Sequence, residues 1–173
     1  MWTEKLIDLN YRLAALYPQK EDITMIAEQS GLSLDNIAIE NKSFRYWFNV
    51  IRAARAENKL DQLLERVMMD YTEDQALKDI ASHLLDEAGE INLPVQKQFC
   101  LDLVEMEEVY ECIPLLIDAT EKADISFSKE VELMNECANY VGALEEVAGQ
   151  ANTKQTRNLN RLKNQLILSI QSL

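Results

Sequence analysis

Apolar residues recur at intervals of three and four along most of the chain, which is the period of an amphipathic α-helix. The first apolar stripe includes Leu6, Leu9, Leu13 and Leu16, and Pro18 follows it, where a helix cannot continue. This pattern predicts helices over residues 3–17, 21–30, 43–58, 60–69, 72–88, 94–110, 112–123, 127–149 and 154–172. The chain is therefore predicted to be all-α.

Short polar residues and isolated glycines mark the predicted helix ends. Thr3 can cap the first helix, and Ser33 can cap a short turn. Gly31 can supply a left-handed residue at the end of the second helix, and Asn58 can do the same for the third. Thr72 stands three residues before a glutamine, which predicts a capping box for the fifth helix.

Two domains are predicted from the breaks between helices. Gly89 can close the fifth helix, which is expected to run to Ala88, and Pro94 suits the first turn of the next. Residues 1–90 then form a five-helix bundle, and residues 91–173 form a bundle of about four helices. Pro114 is expected to break or restart the second helix of this later bundle.

Composition and charge narrow the possible partners. The 173-residue chain is 47% hydrophobic, which suffices for a core, and its net charge of −13 disfavours nucleic acid and anionic membrane as partners. Cys100, Cys112 and Cys137 lie in apolar stretches, so reduced buried thiols are expected rather than disulfides or a zinc site. We find neither a signal peptide nor a run of about 18 apolar residues, so a cytoplasmic location is expected.

The segment MIAEQSGLSLDNI, residues 25–37, has the outline of a DNA-binding helix-turn-helix. A recognition helix needs cations beside the phosphates, yet Lys42 is the first basic residue after Lys20, while acidic residues occur at five positions between them. The segment is therefore predicted to have a packing role and not to read DNA.

The order of motifs in the first half resembles a known family. The motifs are I-A-x-x-x-G-L-x-x-x-x-I from Ile26, W-x-x-x-I-x-x-A from Trp47, K-L-x-x-L-L from Lys59 and Y-x-x-D-x-A-L from Tyr71. Over about residues 3–80 the chain resembles the first family of bacterial effector-associated domains, whereas residues 90–173 carry no resemblance. The resemblance implies a death-like helical bundle that pairs with a similar domain on a partner, which can be fused to an NTPase or to an effector such as a peptidase.

Candidate catalytic and metal sites have simpler interpretations. Asp79, His83 and Glu87 share one helix face, but a second helix of ligands is missing from the pattern, so a solvated face is favoured. The acidic run at Glu105, Glu107, Glu108 and Glu111 is likewise interpreted as a solvated or arginine-paired face. No nucleophile motif or phosphate loop occurs, so neither an enzyme activity nor a cofactor is expected.

A protein-interaction surface is predicted on the third helix. Its members fall within about 80° of the helix circumference and comprise Arg45, Phe48, Arg52, Arg55 and Lys59. An aromatic ring surrounded by arginines is typical of an interface hot spot. The alternative, weighed equally, is that Phe48 belongs to the core and the arginines pair with Asp61 and Glu65. A complementary acidic surface is predicted from Glu21, Asp22, Asp35 and Glu40.

Two functional hypotheses follow. The first is a non-enzymatic adaptor in a bacterial conflict or immune signalling system, which binds similar domains and can self-associate. The second is an effector whose later half acts at membranes through the apolar face of the last helix, with Leu159, Leu162, Leu166, Ile170 and Leu173.

Overall fold

The structure is a computed structural model, and it describes residues 2–84, 92–149 and 153–173. Contacts divide the chain into two compact units, one formed by Thr3–Gly89 and the other by Met1–Trp2 with Glu90–Leu173. All regular elements of the described residues are helical, so the predicted all-α class is confirmed.

The N-terminal unit contains five α-helices and one short 3-10 turn in its described part. They are α1 (Glu4–Leu16), α2 (Lys20–Gln29), the turn Leu34–Asn36, α3 (Ser43–Ala56), α4 (Leu60–Asp70) and α5 (Gln75–His83). Helix α1 packs against α3 and α5, while α2 packs against α3 and α4. The predicted helical bundle is confirmed.

Helix α3 lies at the centre of this bundle. Six consecutive residues, Tyr46 to Ile51, are buried, so the helix is covered around most of its circumference. The ring of Trp47 is fully buried and lies 5.6 Å from the ring of Tyr17. The core therefore forms around α3 rather than on one face of it.

Three predicted helix ends are confirmed. The Thr3 hydroxyl accepts a hydrogen bond from the Leu6 backbone N–H at 3.3 Å. Gly31 and Asn58 both have positive φ, +74° and +52°, and each follows a helix end. A left-handed residue there lets the last helical carbonyls find partners.

The predicted cap of α5 was wrong. Helix α5 begins at Gln75, and its N-cap is Asp74, whose carboxylate accepts a hydrogen bond from the Leu77 N–H at 2.9 Å. Asp74 also pairs with Arg12 on α1, so the same carboxylate both caps α5 and ties it to α1. The predicted end of this helix at Ala88–Gly89 lies outside the described residues.

The C-terminal unit contains four helices in its described part, as predicted. They are α6 (Leu93–Glu105), α7 (Val109–Lys122), α8 (Phe127–Gly149) and α9 (Thr153–Gln171). Sequential neighbours α6–α7, α7–α8 and α8–α9 pack together, and α9 returns to α6. Pro94 occupies the first turn of α6, as expected.

Two predicted boundaries in this unit were wrong. Helix α6 ends at Glu105 instead of residue 110, because Glu107 adopts a left-handed φ of +66° and the Glu108 N–H donates back to the Leu103 carbonyl. Pro114 neither breaks nor restarts a helix but lies inside α7. Proline removes one backbone hydrogen bond, and the buried neighbours of Pro114 on α7, Cys112, Leu115 and Leu116, hold the helix in place.

The core of the C-terminal unit contains all three cysteines. Cys100, Cys112 and Cys137 are buried and free, as predicted. Burial raises the pKa of Cys137 to about 12, so this thiol stays protonated and unreactive. The basic last helix packs against acidic neighbours, as expected, and the Lys163 ammonium lies 2.5 Å from the Glu105 carboxylate.

Candidate protein-interaction surface

The predicted basic stripe on α3 is partly engaged within its own unit. Arg45 forms an ion pair with Glu40 at 3.0 Å. Lys59 donates to the Gly31 carbonyl at 2.5 Å and pairs with Glu57 at 2.7 Å. The Lys59 hydrogen bond lowers the pKa of the Glu57 carboxyl below its usual value. These two cations therefore stabilise the surroundings of α3, while Arg52 is exposed and Arg55 is half-buried.

The predicted exposure of Phe48 was wrong. Its side chain is 0% exposed, and the Arg52 guanidinium lies over its ring, 5.4 Å from the centroid. Phe48 is buried because α3 is surrounded by other helices, so the apolar arc is wider than one stripe. The structure supports the alternative in placing Phe48 in the core, so Phe48 cannot insert into a partner. It differs from that alternative in the pairing of Arg45, whose partner is Glu40 and not Asp61 or Glu65. We call Arg52 and Arg55 the arginine face.

The predicted acidic surface divides into two parts. Glu40 is half-buried and pairs with Arg45, so one member of the acidic set neutralises one member of the basic set. Glu21, Asp22 and Asp35 are exposed, the first two in the first turn of α2 and the third in the 3-10 turn. Carboxylates in the first turn of a helix are favoured by its dipole, so their position has a structural cause as well.

Sequence reasoning missed an exposed apolar groove on the N-terminal unit. Met25 and Ile39 are large hydrophobic residues with 42% and 63% of their surface exposed. They line a depression of about 390 Å³ together with Lys20, Glu21, Thr24 and Glu28. We call these six residues the Met25–Ile39 groove. The position of Met25 could have indicated the α2 side of the groove, because Met25 falls outside the buried stripe of α2 formed by Ile23, Ile26 and Ala27.

The wall of the Met25–Ile39 groove is anchored to the core. The Thr24 hydroxyl lies 2.7 Å from the Tyr46 hydroxyl of α3 and donates to the Lys20 carbonyl at 2.8 Å. Tyr46 itself is fully buried. The α2 side of the groove is thus fixed to α3, which favours recognition because less ordering of this wall is needed on binding.

The other predicted constellations do not converge on a site. His83 Nδ1 lies 3.6 Å from the Asp79 carboxylate, both side chains are more than half exposed, and Glu87 lies outside the described residues. Within residues 2–84, 92–149 and 153–173, no three His, Cys, Asp or Glu side chains are placed to hold a metal ion. The element after Gly31 is a 3-10 turn of three residues, too short to serve as a recognition helix.

The apolar face of the last helix is partly packed within its own unit. Leu166 and Ile170 of α9 are 0% exposed, whereas Leu159, Leu162 and Leu173 are half-buried. Helix α9 packs on α8 and α6. In the part of the chain that the structure describes, no helix combines the length and apolarity needed to cross a membrane.

A five-helix bundle with an anchored apolar groove and exposed charges of both signs is the kind of structure found in protein-interaction domains. Residues 2–85 match the model of the family described as effector-associated domain 1. The comparison with curated proteins and the comparison with solved structures find no match. The family assignment indicates a role in effector-associated signalling and covers the N-terminal unit only.

Proposed function

We propose that the protein is a non-enzymatic adaptor in a bacterial effector system. Its effector-associated domain binds a similar domain on a partner, and the partner carries a sensor NTPase or an effector such as a peptidase. The observation that carries this proposal is the family match over residues 2–85, which extends across the whole described part of the N-terminal unit.

The surface chemistry of the N-terminal unit supports binding between similar domains. The arginine face presents cations on α3, while Glu21, Asp22 and Glu28 present carboxylates on α2. Opposite charges on two related domains speed their encounter and reject partners with like charges in the same place. One domain that carries both charges can therefore recognise another of its own kind.

The C-terminal unit supplies the second attachment required of an adaptor. Tyr110 at the start of α7 and Phe127 at the start of α8 are 68% and 77% exposed, so both aromatic rings are open to contact by a partner. We assign this unit a partner-binding or sensing role. The membrane-effector hypothesis is the weaker of the two, because Leu166 and Ile170 of its proposed membrane face are buried within the unit.

Calorimetric titration tests the proposed function. The full chain is titrated with each protein that is encoded beside it and carries an effector-associated domain. We expect saturable binding to at least one such protein, with a heat that falls as salt screens the charged contact. Absence of binding to every such neighbour at micromolar concentrations would contradict the adaptor role.

A further inference from the structure

We propose that the Met25–Ile39 groove binds the arginine face of a second copy of the same chain, and that the two copies pair about a twofold axis. This inference rests on the proposed function, in which similar domains bind one another. It adds the residues in contact, the identity of one partner and the symmetry of the pair.

The groove combines an apolar floor with an acidic rim. Glu21, Met25 and Glu28 fall within about 60° of one another on the α2 circumference, since each residue advances by about 100°. Glu21 and Glu28 are exposed, and neither makes an ion pair with another described residue. Lys20 also lines the groove, so the three charged side chains of the groove sum to −1, and Asp22 beside them adds a further carboxylate.

Arginine is the side chain that fits such a groove. Its three-carbon stem can cover Met25 and Ile39, while its guanidinium donates to two carboxylates at once. Arginine is also among the residues that most often dominate the binding energy of an interface. A lysine would place a point charge there without the paired donors.

The arginine face is held ready for this contact. The Arg52 guanidinium lies over the Phe48 ring, and its Nη2 lies 3.4 Å from the Asn49 side-chain oxygen. Arg55 follows three residues later on the same face of α3. Because the Arg52 guanidinium is already placed over the Phe48 ring, less side-chain entropy is lost on binding than for a freely moving arginine.

The two surfaces lie side by side on one domain. The Asn49 side chain that faces Arg52 also donates from Nδ2 to the Ala38 carbonyl at 3.1 Å. Ala38 directly precedes Ile39 of the groove, so the arginine face and the groove border the same short segment. Neighbouring surfaces of opposite charge are self-complementary under a twofold rotation, because each copy then supplies both halves of the contact. Closed dimers are therefore expected instead of filaments.

Sedimentation velocity of the full chain tests this proposal with two charge-reversed variants, E21R/E28R and R52E/R55E. The wild type should form a dimer at micromolar concentrations, and each variant alone should be monomeric. An equimolar mixture should form dimers again, because one variant then presents two basic surfaces and the other presents two acidic ones. No species larger than the dimer should appear in the wild type or the mixture.

Two further variants separate the effect of net charge on dimerisation from the effect of the apolar floor of the groove. E121R/E132R changes the net charge of the chain as much as E21R/E28R does, at two exposed positions of the C-terminal unit, and should dimerise like the wild type. Met25→Gln keeps a chain of similar length but makes the groove polar, and it should weaken dimerisation at least tenfold. Thermal melts of E21R/E28R, E121R/E132R and Met25→Gln should match that of the wild type, because the altered side chains are exposed. R52E/R55E should melt slightly lower, because it loses the cation over the Phe48 ring.

Three results would overturn the inference: a monomeric wild type, a mixture that fails to dimerise, or growth of the wild type into oligomers larger than the dimer. The last result would indicate head-to-tail contacts. The proposed dimer and the proposed adaptor function can be refuted independently of each other. A chain that is monomeric but binds a similar domain of another protein by calorimetry retains the adaptor role and lacks only this dimer.

Discussion

Replacement of Phe48 by alanine tests where the core of the N-terminal unit lies. The side chain is fully buried on the central helix α3. Removal of a core phenylalanine costs about 3–5 kcal/mol of folding free energy, because apolar contacts are lost and a cavity remains. Loss of the cation–π contact with Arg52 adds about 0.5–1 kcal/mol, since that arginine is exposed. We expect a total loss of about 3.5–6 kcal/mol.

This loss is large compared with the stability of a domain, which is about 5–15 kcal/mol. The variant Phe48→Ala should therefore lose a large share of the stability of the N-terminal unit at 25 °C. The conservative variant Phe48→Leu retains most of the volume and should lose on the order of 1–2 kcal/mol. Arg52→Ala removes the cation over the ring and the long hydrogen bond to Asn49, both at an exposed side chain, and should lose about 1 kcal/mol.

Urea unfolding of the full chain, followed by tryptophan fluorescence, measures these losses. The chain has two tryptophans, so the Trp2→Phe background leaves Trp47 as the reporter of the N-terminal unit. The three variants should rank Phe48→Ala, Phe48→Leu and Arg52→Ala in decreasing loss. A loss below about 1 kcal/mol for Phe48→Ala would refute the reasoning, because a fully buried phenylalanine cannot be removed at so small a cost.

Four further outcomes are expected. Residues 1–90 expressed alone should be helical and melt cooperatively; a disordered circular dichroism spectrum would contradict the domain boundary. The hydrogen bond from Arg12 lowers the pKa of the Asp74 carboxyl. The stabilisation of the fold by the ionised Asp74 is therefore complete above the ordinary pKa of 3.8 and is lost as the pH falls below that value. Asp74→Asn keeps a capping side chain but removes the charge that pairs with Arg12, so it should reduce this acid sensitivity and cost at most about 1 kcal/mol at neutral pH, measured by urea unfolding from pH 7 to pH 2; an unchanged acid profile would count against the Arg12 contact. Glu107→Gly should raise the unfolding free energy of the C-terminal unit by about 1 kcal/mol, because glycine adopts the left-handed φ of +66° without strain; a lower melting temperature would exclude this. Duplex DNA should not bind with sequence specificity at physiological salt, because no cation follows Gly31 within the 3-10 turn; a sub-micromolar, salt-sensitive complex in a fluorescence titration would show otherwise.

Much of the fold could be predicted because its signals are local. The apolar period places α8 at residues 127–149, the same bounds that the structure has. The caps at Thr3 and Gly31 depend on the chemistry of single residues next to a helix end. Such features need no knowledge of what packs against the helix.

The predictions from sequence were wrong where contacts between residues far apart in the chain determine the structure. Thr72 and Asp74 are both good caps, and Arg12, more than sixty residues earlier, pairs with Asp74. Periodicity placed Phe48 among arginines, but burial depends on how many helices surround α3. The Met25–Ile39 groove brings together α2 and a segment ten or more residues later, so no single helical pattern reveals it.

The central claim is that the arginine face of α3 binds a similar domain of a partner. Isothermal titration of the partner's effector-associated domain into the wild-type chain and into R52E/R55E, with a thermal melt of each, tests it most directly. The account predicts that the double reversal abolishes binding while the melting temperature stays nearly unchanged, since exposed charges contribute little to folding. Undiminished binding by a folded R52E/R55E variant would contradict it.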